Sequence, residues 1–136
     1  MEKNIILCVD DEKAVLDTLR AMLRRAFTGY YLEFAESGEE ALELLDEYKS
    51  ETIGKLVVLT DWLMPGMKGD EFLVQVHKKY PSALKIILSG LIDQSGMQRA
   101  KKEANLYDIV SKPWDGEQLI ALIKRGIEEN VDLDVD

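Results

Sequence analysis

Short apolar runs alternate along this chain with longer stretches in which apolar residues recur every three or four positions. Continuous apolar runs are typical of strands buried on both faces of a parallel sheet, and the longer stretches predict amphipathic helices. The predicted strands are Ile5–Val9, Tyr30–Ala35, Leu56–Leu59, Leu84–Leu88 and Tyr107–Val110. The predicted helices are Glu12–Ala26, one that begins at Ser37, Asp70–Tyr80, Asp93–Ala104 and Asp115–Glu129.

The strands and helices are joined by short connections, and no internal repeat interrupts their alternation. Such alternation predicts an α/β fold, in which a parallel sheet carries helices on both faces. Ligands of these folds bind at the carboxyl ends of the strands, near the point where the strand order reverses. Functional side chains are therefore expected where the predicted strands end.

Composition narrows the class of protein. The 136 residues fit one domain, expected over residues 1–130 with an acidic tail at residues 131–136, and the single Cys8 excludes an internal disulfide. The net charge of -9 argues against direct nucleic-acid binding, because phosphates would be repelled. The sequence shows neither a signal-peptide pattern nor an apolar stretch long enough for membrane insertion, so a cytoplasmic location is expected.

Polar and charged residues follow four of the five predicted strands. They are Asp10 and Asp11 after the first strand, Asp61 after the third, Ser89 after the fourth and Lys112 after the fifth. Three carboxylates brought together repel one another and need a cation or protons. Ligand sets made of oxygen alone favour Mg²⁺ or Ca²⁺ over zinc. The sequence therefore predicts a site for a hard divalent cation at this edge of the sheet.

The same set of residues indicates phosphoryl chemistry. A divalent cation beside a lysine is a good receptor for a phosphoryl group, and a central carboxylate can act as a nucleophile that forms an acyl phosphate. Each piece alone is weak, because two aspartates after a strand are usually a turn or a helix cap. The prediction rests on all of these residues standing at the correct strand ends.

With these residues in place, the chain resembles the receiver domains of two-component response regulators, of the chemotaxis-regulator type. The resemblance covers about Asn4 to Glu129. Its motifs are Val9–Glu12, Thr60–Gly66 with Gly69 beyond, Leu88–Gly90 and Ser111–Trp114. It implies a flavodoxin-like (βα)5 doubly wound fold with strand order 2-1-3-4-5.

The resemblance also implies residue roles and partners. Asp61 would be the phosphoacceptor, and Ser89 and Lys112 would contact the phosphoryl oxygens. The ligands of Mg²⁺ would be Asp11, Asp61 and the backbone carbonyl of Leu63, with Asp10 helping through water. A sensor histidine kinase or a phosphotransfer protein would donate the phosphoryl group, and a downstream protein target or output domain would respond.

Several positions depart from the family pattern. Ile109 stands where the family usually has an aromatic residue, while Tyr107 lies two positions earlier and is expected on the same face of the strand by alternation. Asn105 replaces a common glycine and is expected to adopt the left-handed conformation after the fourth helix. Trp62, directly after Asp61, is expected to be partly exposed.

Two further features concern regulation. Leu63 and Leu91 occupy variable positions that flank the path of attacking water in this family, and neither can orient a water molecule. They predict a long-lived phosphorylated state, or else they merely pack against neighbouring loops or a partner.

In the fourth predicted helix, apolar residues are sparse, so weak anchoring predicts that this helix moves and forms the output surface.

Three alternatives compete with this interpretation, and the residues present argue against each of them. One is an interaction module of the same fold that works without phosphorylation. Another is an aspartate-nucleophile phosphohydrolase, although those enzymes carry Asp-x-Asp after the first strand, where this chain has Asp10-Asp11-Glu12-Lys13. The third is a flavin carrier, which would need a phosphate-binding loop rich in Ser, Thr or Gly after the first strand.

Overall fold

The computed structural model describes residues 2–48 and 52–134, with the backbone alone for residues 131–134. The strands are β1 (Lys3–Val9), β2 (Tyr31–Ala35), β3 (Ile53–Thr60), β4 (Leu84–Ser89) and β5 (Asp108–Ser111). The helices are α1 (Lys13–Ala26), α2 (Gly38–Glu47), α3 (Gly69–Lys79), α4 (Gln94–Glu103) and α5 (Gly116–Asp134). Within the described ranges, no helix has the length and apolar character that crossing a membrane requires.

The five strands form one parallel sheet in the order β2-β1-β3-β4-β5, which confirms the predicted flavodoxin-like topology. In the register of the sheet, Val9 pairs with Thr60, Thr60 with Ile87, and Ser89 with Ser111. The carboxyl ends of β1, β3, β4 and β5 therefore lie close to one level. Residues that directly follow these strands are brought to a common edge.

Alternation along the strands divides the core between the two faces of the sheet. Ile5, Leu7 and Val9 face the side covered by α2, α3 and α4, while Ile6 and Cys8 face the side covered by α1 and α5. All five of these side chains are buried. Burial of a large apolar side chain contributes about 1.5–3 kcal/mol, so the central strands hold the sheet edge firmly in place.

The helix ends agree with the sequence at one position and differ at another. Asn105 has φ 52° directly after α4, so the predicted left-handed residue is confirmed. In contrast, α5 continues to Asp134 and is longer than the predicted helix ending at Glu129. Residues 127–134 contain neither Gly nor Pro, so no local signal ends the helix earlier. Residues 135 and 136 of the expected tail lie outside the described residues.

Candidate functional site

Asp10 and Asp61 are the first residues beyond the two central strands, and both are buried. The Asp10 N–H donates to the carbonyl of Ala35 at 3.1 Å, and the Asp61 N–H donates to the carbonyl of Val9 at 2.9 Å. These bonds continue the ladder of the parallel sheet by one step. The backbone of both aspartates is therefore as firmly placed as the strands themselves.

Lys112 reaches both carboxylates from the end of β5. Its Nζ lies 2.7 Å from Oδ2 of Asp10 and 3.3 Å from Oδ2 of Asp61. Its backbone N–H donates to the carbonyl of Ser89 at 3.3 Å, and its peptide bond to Pro113 is cis. Burial disfavours the charge on Lys112, but the two aspartates outweigh burial and raise its pKa above the usual value.

The charge balance of the site fits a divalent cation. Carboxylate oxygens of Asp10, Asp11 and Asp61 all lie within 4.8 Å of one another. One ammonium group cannot neutralise three carboxylates, and desolvation together with the charge of Asp10 raises the pKa of Asp61, although Lys112 opposes this. A hard cation bound by oxygen ligands would relieve this crowding. The predicted convergence of these four residues is therefore present in the geometry.

The loop after β3 approaches Asp61 closely. The Trp62 N–H donates to Oδ1 of Asp61 at 2.8 Å, and the Trp62 carbonyl accepts the N–H of Gly69 at 2.8 Å. A Cβ at position 69 would lie 2.3 Å from the Asp61 carbonyl oxygen and 2.8 Å from the Trp62 Cα. Only glycine fits there, so the start of α3 closes the loop directly beneath the candidate acceptor.

Ser89 and Leu63 are less closely tied to the carboxylates. Ser89 ends β4 as predicted, but its hydroxyl donates to the carbonyl of Leu91 at 2.8 Å and accepts the Leu91 N–H at 3.1 Å. The hydroxyl must therefore release the Leu91 carbonyl before it can donate to another oxygen atom. Leu63 lies two residues after Asp61 on the same loop, and its side chain is 56% exposed.

Two aromatic residues are placed differently from the prediction. Trp62 is only 7% exposed, not partly exposed, because its indole N–H donates to Oδ1 of buried Asp70 at 2.8 Å. Tyr107 packs on the α1 and α5 side of the sheet, whereas Ile109 packs on the other side. The alternation rule failed for Tyr107 because β5 begins only at Asp108.

Asp70 is the residue near the site that the sequence did not single out. An aspartate in the first turn of a helix is ordinarily explained by the helix dipole, and no local pattern tells whether such a side chain is buried. The only available signal was an indole N–H nearby in the sequence that needs an acceptor if Trp62 is buried.

Comparisons with known proteins agree with this geometry. A family model for the response regulator receiver domain matches residues 6–124. The hydrogenase transcriptional regulatory protein HoxA of Cupriavidus necator is 32% identical over 123 residues, which are 90% of this chain and 24% of that protein. The chain thus spans about a quarter of the length of this relative.

Two solved structures support the same assignment. The signal receiver domain of an HD domain-containing protein from Pseudomonas fluorescens Pf-5 superposes with a TM-score of 0.83 at 28% identity, covering 98% of this chain and 93% of that one. A CheY-like receiver domain protein from Methanospirillum hungatei gives a TM-score of 0.83 at 27% identity, covering 97% of this chain and 98% of that one. The chain therefore belongs to the receiver domain family of two-component response regulators.

Proposed function

We propose that this receiver domain is a phosphorylation switch in which Asp61 accepts a phosphoryl group. The observation that carries the proposal is the position of Asp61 beside both Lys112 and the acidic pair formed by Asp10 and Asp11. Its Oδ2 lies 3.3 Å from the Lys112 ammonium, and its carboxylate belongs to the cluster with Asp10 and Asp11. A carboxylate nucleophile, a cation and a fixed positive charge are the parts that phosphoryl transfer requires.

The chemical step is a displacement at phosphorus. A carboxylate oxygen of Asp61 forms a bond to phosphorus, and the bond from phosphorus to the donor nitrogen or oxygen breaks. The leaving imidazole or acetate takes the electron pair, and the protein keeps an acyl phosphate. Lys112 offsets negative charge on the phosphoryl oxygens, and Ser89 would donate its hydroxyl to one of them after releasing Leu91.

A magnesium site belongs to the same proposal. Asp11 and Asp61 would bind Mg²⁺ directly together with the backbone carbonyl of Leu63, and Asp10 would assist through water. When bound, the ion would offset charge on both the carboxylates and the phosphoryl oxygens. The support is the donor set itself, since three clustered carboxylates offer only hard oxygen ligands.

The proposed partners follow from the family. A sensor histidine kinase or a phosphotransfer protein in the cytoplasm would donate the phosphoryl group, and a protein target or an output domain would respond to it. We propose residues 1–130 as the switching domain and residues 131–136 as an acidic extension. Direct binding to nucleic acid is not proposed, since a net charge of -9 would repel phosphates. Insertion into a membrane is not proposed either, because the sequence has no apolar stretch of sufficient length.

Intact-mass spectrometry tests the proposal. After incubation with acetyl phosphate and Mg²⁺, the wild-type protein should gain one phosphoryl group, and Asp61→Asn should gain none. Asp17→Asn is the matched control, because it removes an exposed carboxylate from α1 and should not affect labelling. Equal labelling of Asp61→Asn and the wild-type protein would contradict the proposal. No labelling of the wild-type protein by either acetyl phosphate or a phosphorylated histidine would favour the phosphorylation-independent interaction module.

A further inference from the structure

The Trp62 side chain lies between the loop that carries Asp61 and the first turn of α4. Its backbone N–H bonds Oδ1 of Asp61, and its indole ring contacts Gly96 in α4. A Cβ at Gly96 would lie 2.9 Å from the indole Nε1 and 3.1 Å from Cε2. The edge of the ring therefore rests directly on the backbone of α4. One residue thus contacts both the candidate acceptor and the helix.

Asp70 holds this ring in place. Its Oδ1 accepts the indole N–H at 2.8 Å, and both side chains are buried. A buried indole N–H without an acceptor and a buried carboxylate without a donor are each costly. The bond is also charge-assisted, which makes it stronger than a bond between neutral groups. The rotamer of Trp62 is therefore tied to α3, the helix that begins beneath Asp61.

On the α4 side, the ring is contacted by Gly96 in the first turn of the helix. The N–H of Gly96 donates to Oδ1 of the N-cap residue Asp93 at 2.7 Å, which fixes the first turn of the helix. The Lys68 ammonium lies 5.3 Å from the centre of the Trp62 ring, within the range of a cation–π contact. A change in the angle of the indole ring would therefore press on, or release, the start of α4.

A second route joins the site to α4 through the chain itself. The Ser89 hydroxyl bonds the backbone of Leu91, and this loop leads into α4. The two routes use different atoms, so a change at Asp70 leaves the Ser89 route intact. This independence makes the Trp62 route testable by itself.

We propose that Asp70 is a positioning residue that couples the state of Asp61 to α4 through the Trp62 indole ring. Phosphorylation converts the Asp61 carboxylate into an acyl phosphate, which alters the acceptor of the Trp62 N–H. The loop shifts in response, and the ring, held by Asp70, transmits that shift to Gly96. Asp70 does not touch the reacting atoms. The inference rests on the proposed function, because it needs Asp61 to change state.

Hydrogen exchange with and without beryllofluoride and Mg²⁺ tests this coupling. Beryllofluoride serves as the phosphoryl mimic, and fluorine NMR measures how much of it is bound. In the wild-type protein, exchange of amides 96–104 should change when the mimic binds. In Asp70→Ala the mimic should still bind, but the change in α4 should fall to the part that the Ser89 route transmits.

Three further variants separate positioning from a merely structural role. Asp70→Asn keeps an oxygen that accepts the indole N–H and should retain most of the α4 response. Glu71→Ala removes an exposed carboxylate from the same turn and should leave the response unchanged. Trp62→Phe keeps an aromatic ring without the donor and should reduce the α4 response to the same extent as Asp70→Ala. If Asp70→Ala does not fold, Trp62→Phe decides the question by itself.

The outcomes also separate this inference from the proposed function. If the wild-type protein does not bind the mimic, both proposals fail. If the mimic binds to the wild-type protein, to Trp62→Phe and to Asp70→Ala, and the α4 response is the same in all three, only the coupling through Asp70 is overturned. A wild-type protein that binds the mimic without any change in α4 would overturn it as well.

Discussion

Each end of the sheet holds a lysine that is removed from solvent, and the surroundings shift the pKa of the two lysines in opposite directions. At the carboxyl end, Lys112 contacts Asp10 and Asp61, and these carboxylates raise its pKa despite the opposing effect of burial. At the amino end, Lys85 in β4 is fully buried, and its Nζ donates to the carbonyl of Ala83 at 2.7 Å. Burial lowers the pKa of Lys85 to about 8.

The difference shows what allows a buried ammonium group to keep its positive charge. A neutral carbonyl acceptor satisfies a hydrogen bond at Lys85 but does not compensate the loss of hydration of a full charge. At Lys112 two carboxylates supply that compensation, so this ammonium keeps its positive charge where a phosphoryl group would arrive. The comparison predicts opposite behaviour for the two lysines in activity and in the pH dependence of stability.

The largest expected effect is on the rate of phosphorylation. Replacing Lys112 by Met removes the fixed charge that faces the transferred phosphoryl group. The initial rate with acetyl phosphate and saturating Mg²⁺ should fall by about 10²–10³-fold, the range for loss of a preorganised charged or polar donor. Lys85→Met removes a comparable charge at the opposite end of the sheet and should leave the rate nearly unchanged. Similar losses in both variants would show that the position of Lys112 is not what matters.

The next effect concerns metal binding at the carboxyl end. Asp11→Ala should weaken Mg²⁺ binding by at least about tenfold, measured by titration of the tryptophan fluorescence. It should also stabilise the metal-free protein against denaturant, because removing one of three crowded carboxylates relieves repulsion. Asp17→Ala, which removes an exposed charge from α1, is the control for both measurements. A less stable metal-free Asp11→Ala protein would refute the crowding argument.

The pH dependence of unfolding should separate the two lysines. Between pH about 8 and 10.5 the unfolded chain binds a proton at residue 85 that folded Lys85 has released. The wild-type protein should therefore gain stability relative to Lys85→Met as pH rises through this window, by up to about 1.4 kcal/mol per pH unit. Below pH 8 folded Lys85 is charged, so the full destabilising effect of burying that charge is present.

Lys112 should show the opposite slope. Its pKa is raised when the protein folds, so its stabilising contribution is complete below pH 10.5 and is lost as pH rises through the folded pKa. The stability difference between wild-type protein and Lys112→Met should therefore shrink above pH 10.5. Urea unfolding at a series of pH values measures both slopes. Slopes of the same sign for the two lysines would contradict the predicted difference between them.

The smallest expected effect concerns loss of the phosphoryl group. Leu63 and Leu91 are 56% and 77% exposed, so most of their surface is not packed against neighbouring loops. We expect them to obstruct the approach of water without orienting it. Leu63→Asn and Leu91→Glu together should shorten the phosphorylated lifetime roughly tenfold, which corresponds to ~1.4 kcal/mol of barrier, and each alone by less. Unchanged lifetimes in excess Mg²⁺ would leave these leucines only a contact role toward a partner.

The sequence predicted the sheet because its central strands are short, continuous apolar runs, which are typical of strands buried on both faces. It also placed the acidic pair, Asp61 and Lys112, since residues that directly follow parallel strands must meet at one edge. The rest depended on tertiary packing. Whether Trp62 is buried is decided by Asp70 and Gly96, which belong to two different helices, and no periodicity reports such a contact.

Other misses have equally local causes. The face of Tyr107 was predicted by extending a strand one residue too far, and alternation has no meaning outside the strand. Lys85 stands within an apolar run, where the sequence does not show whether a lysine extends to solvent or is enclosed. The hydroxyl of Ser89 was placed at the correct strand end, but its bonds to Leu91 depend on the geometry of the following turn.

We propose that Asp61, and not a neighbouring carboxylate, carries the phosphoryl group. Borohydride reduces an acyl phosphate to an alcohol, so it converts a phosphorylated aspartate into homoserine at that position. Peptide mass spectrometry after phosphorylation and reduction should find homoserine at position 61 and leave positions 10 and 11 as aspartate. Homoserine at position 10 or 11, or a phosphorylated protein that yields no homoserine, would contradict the account.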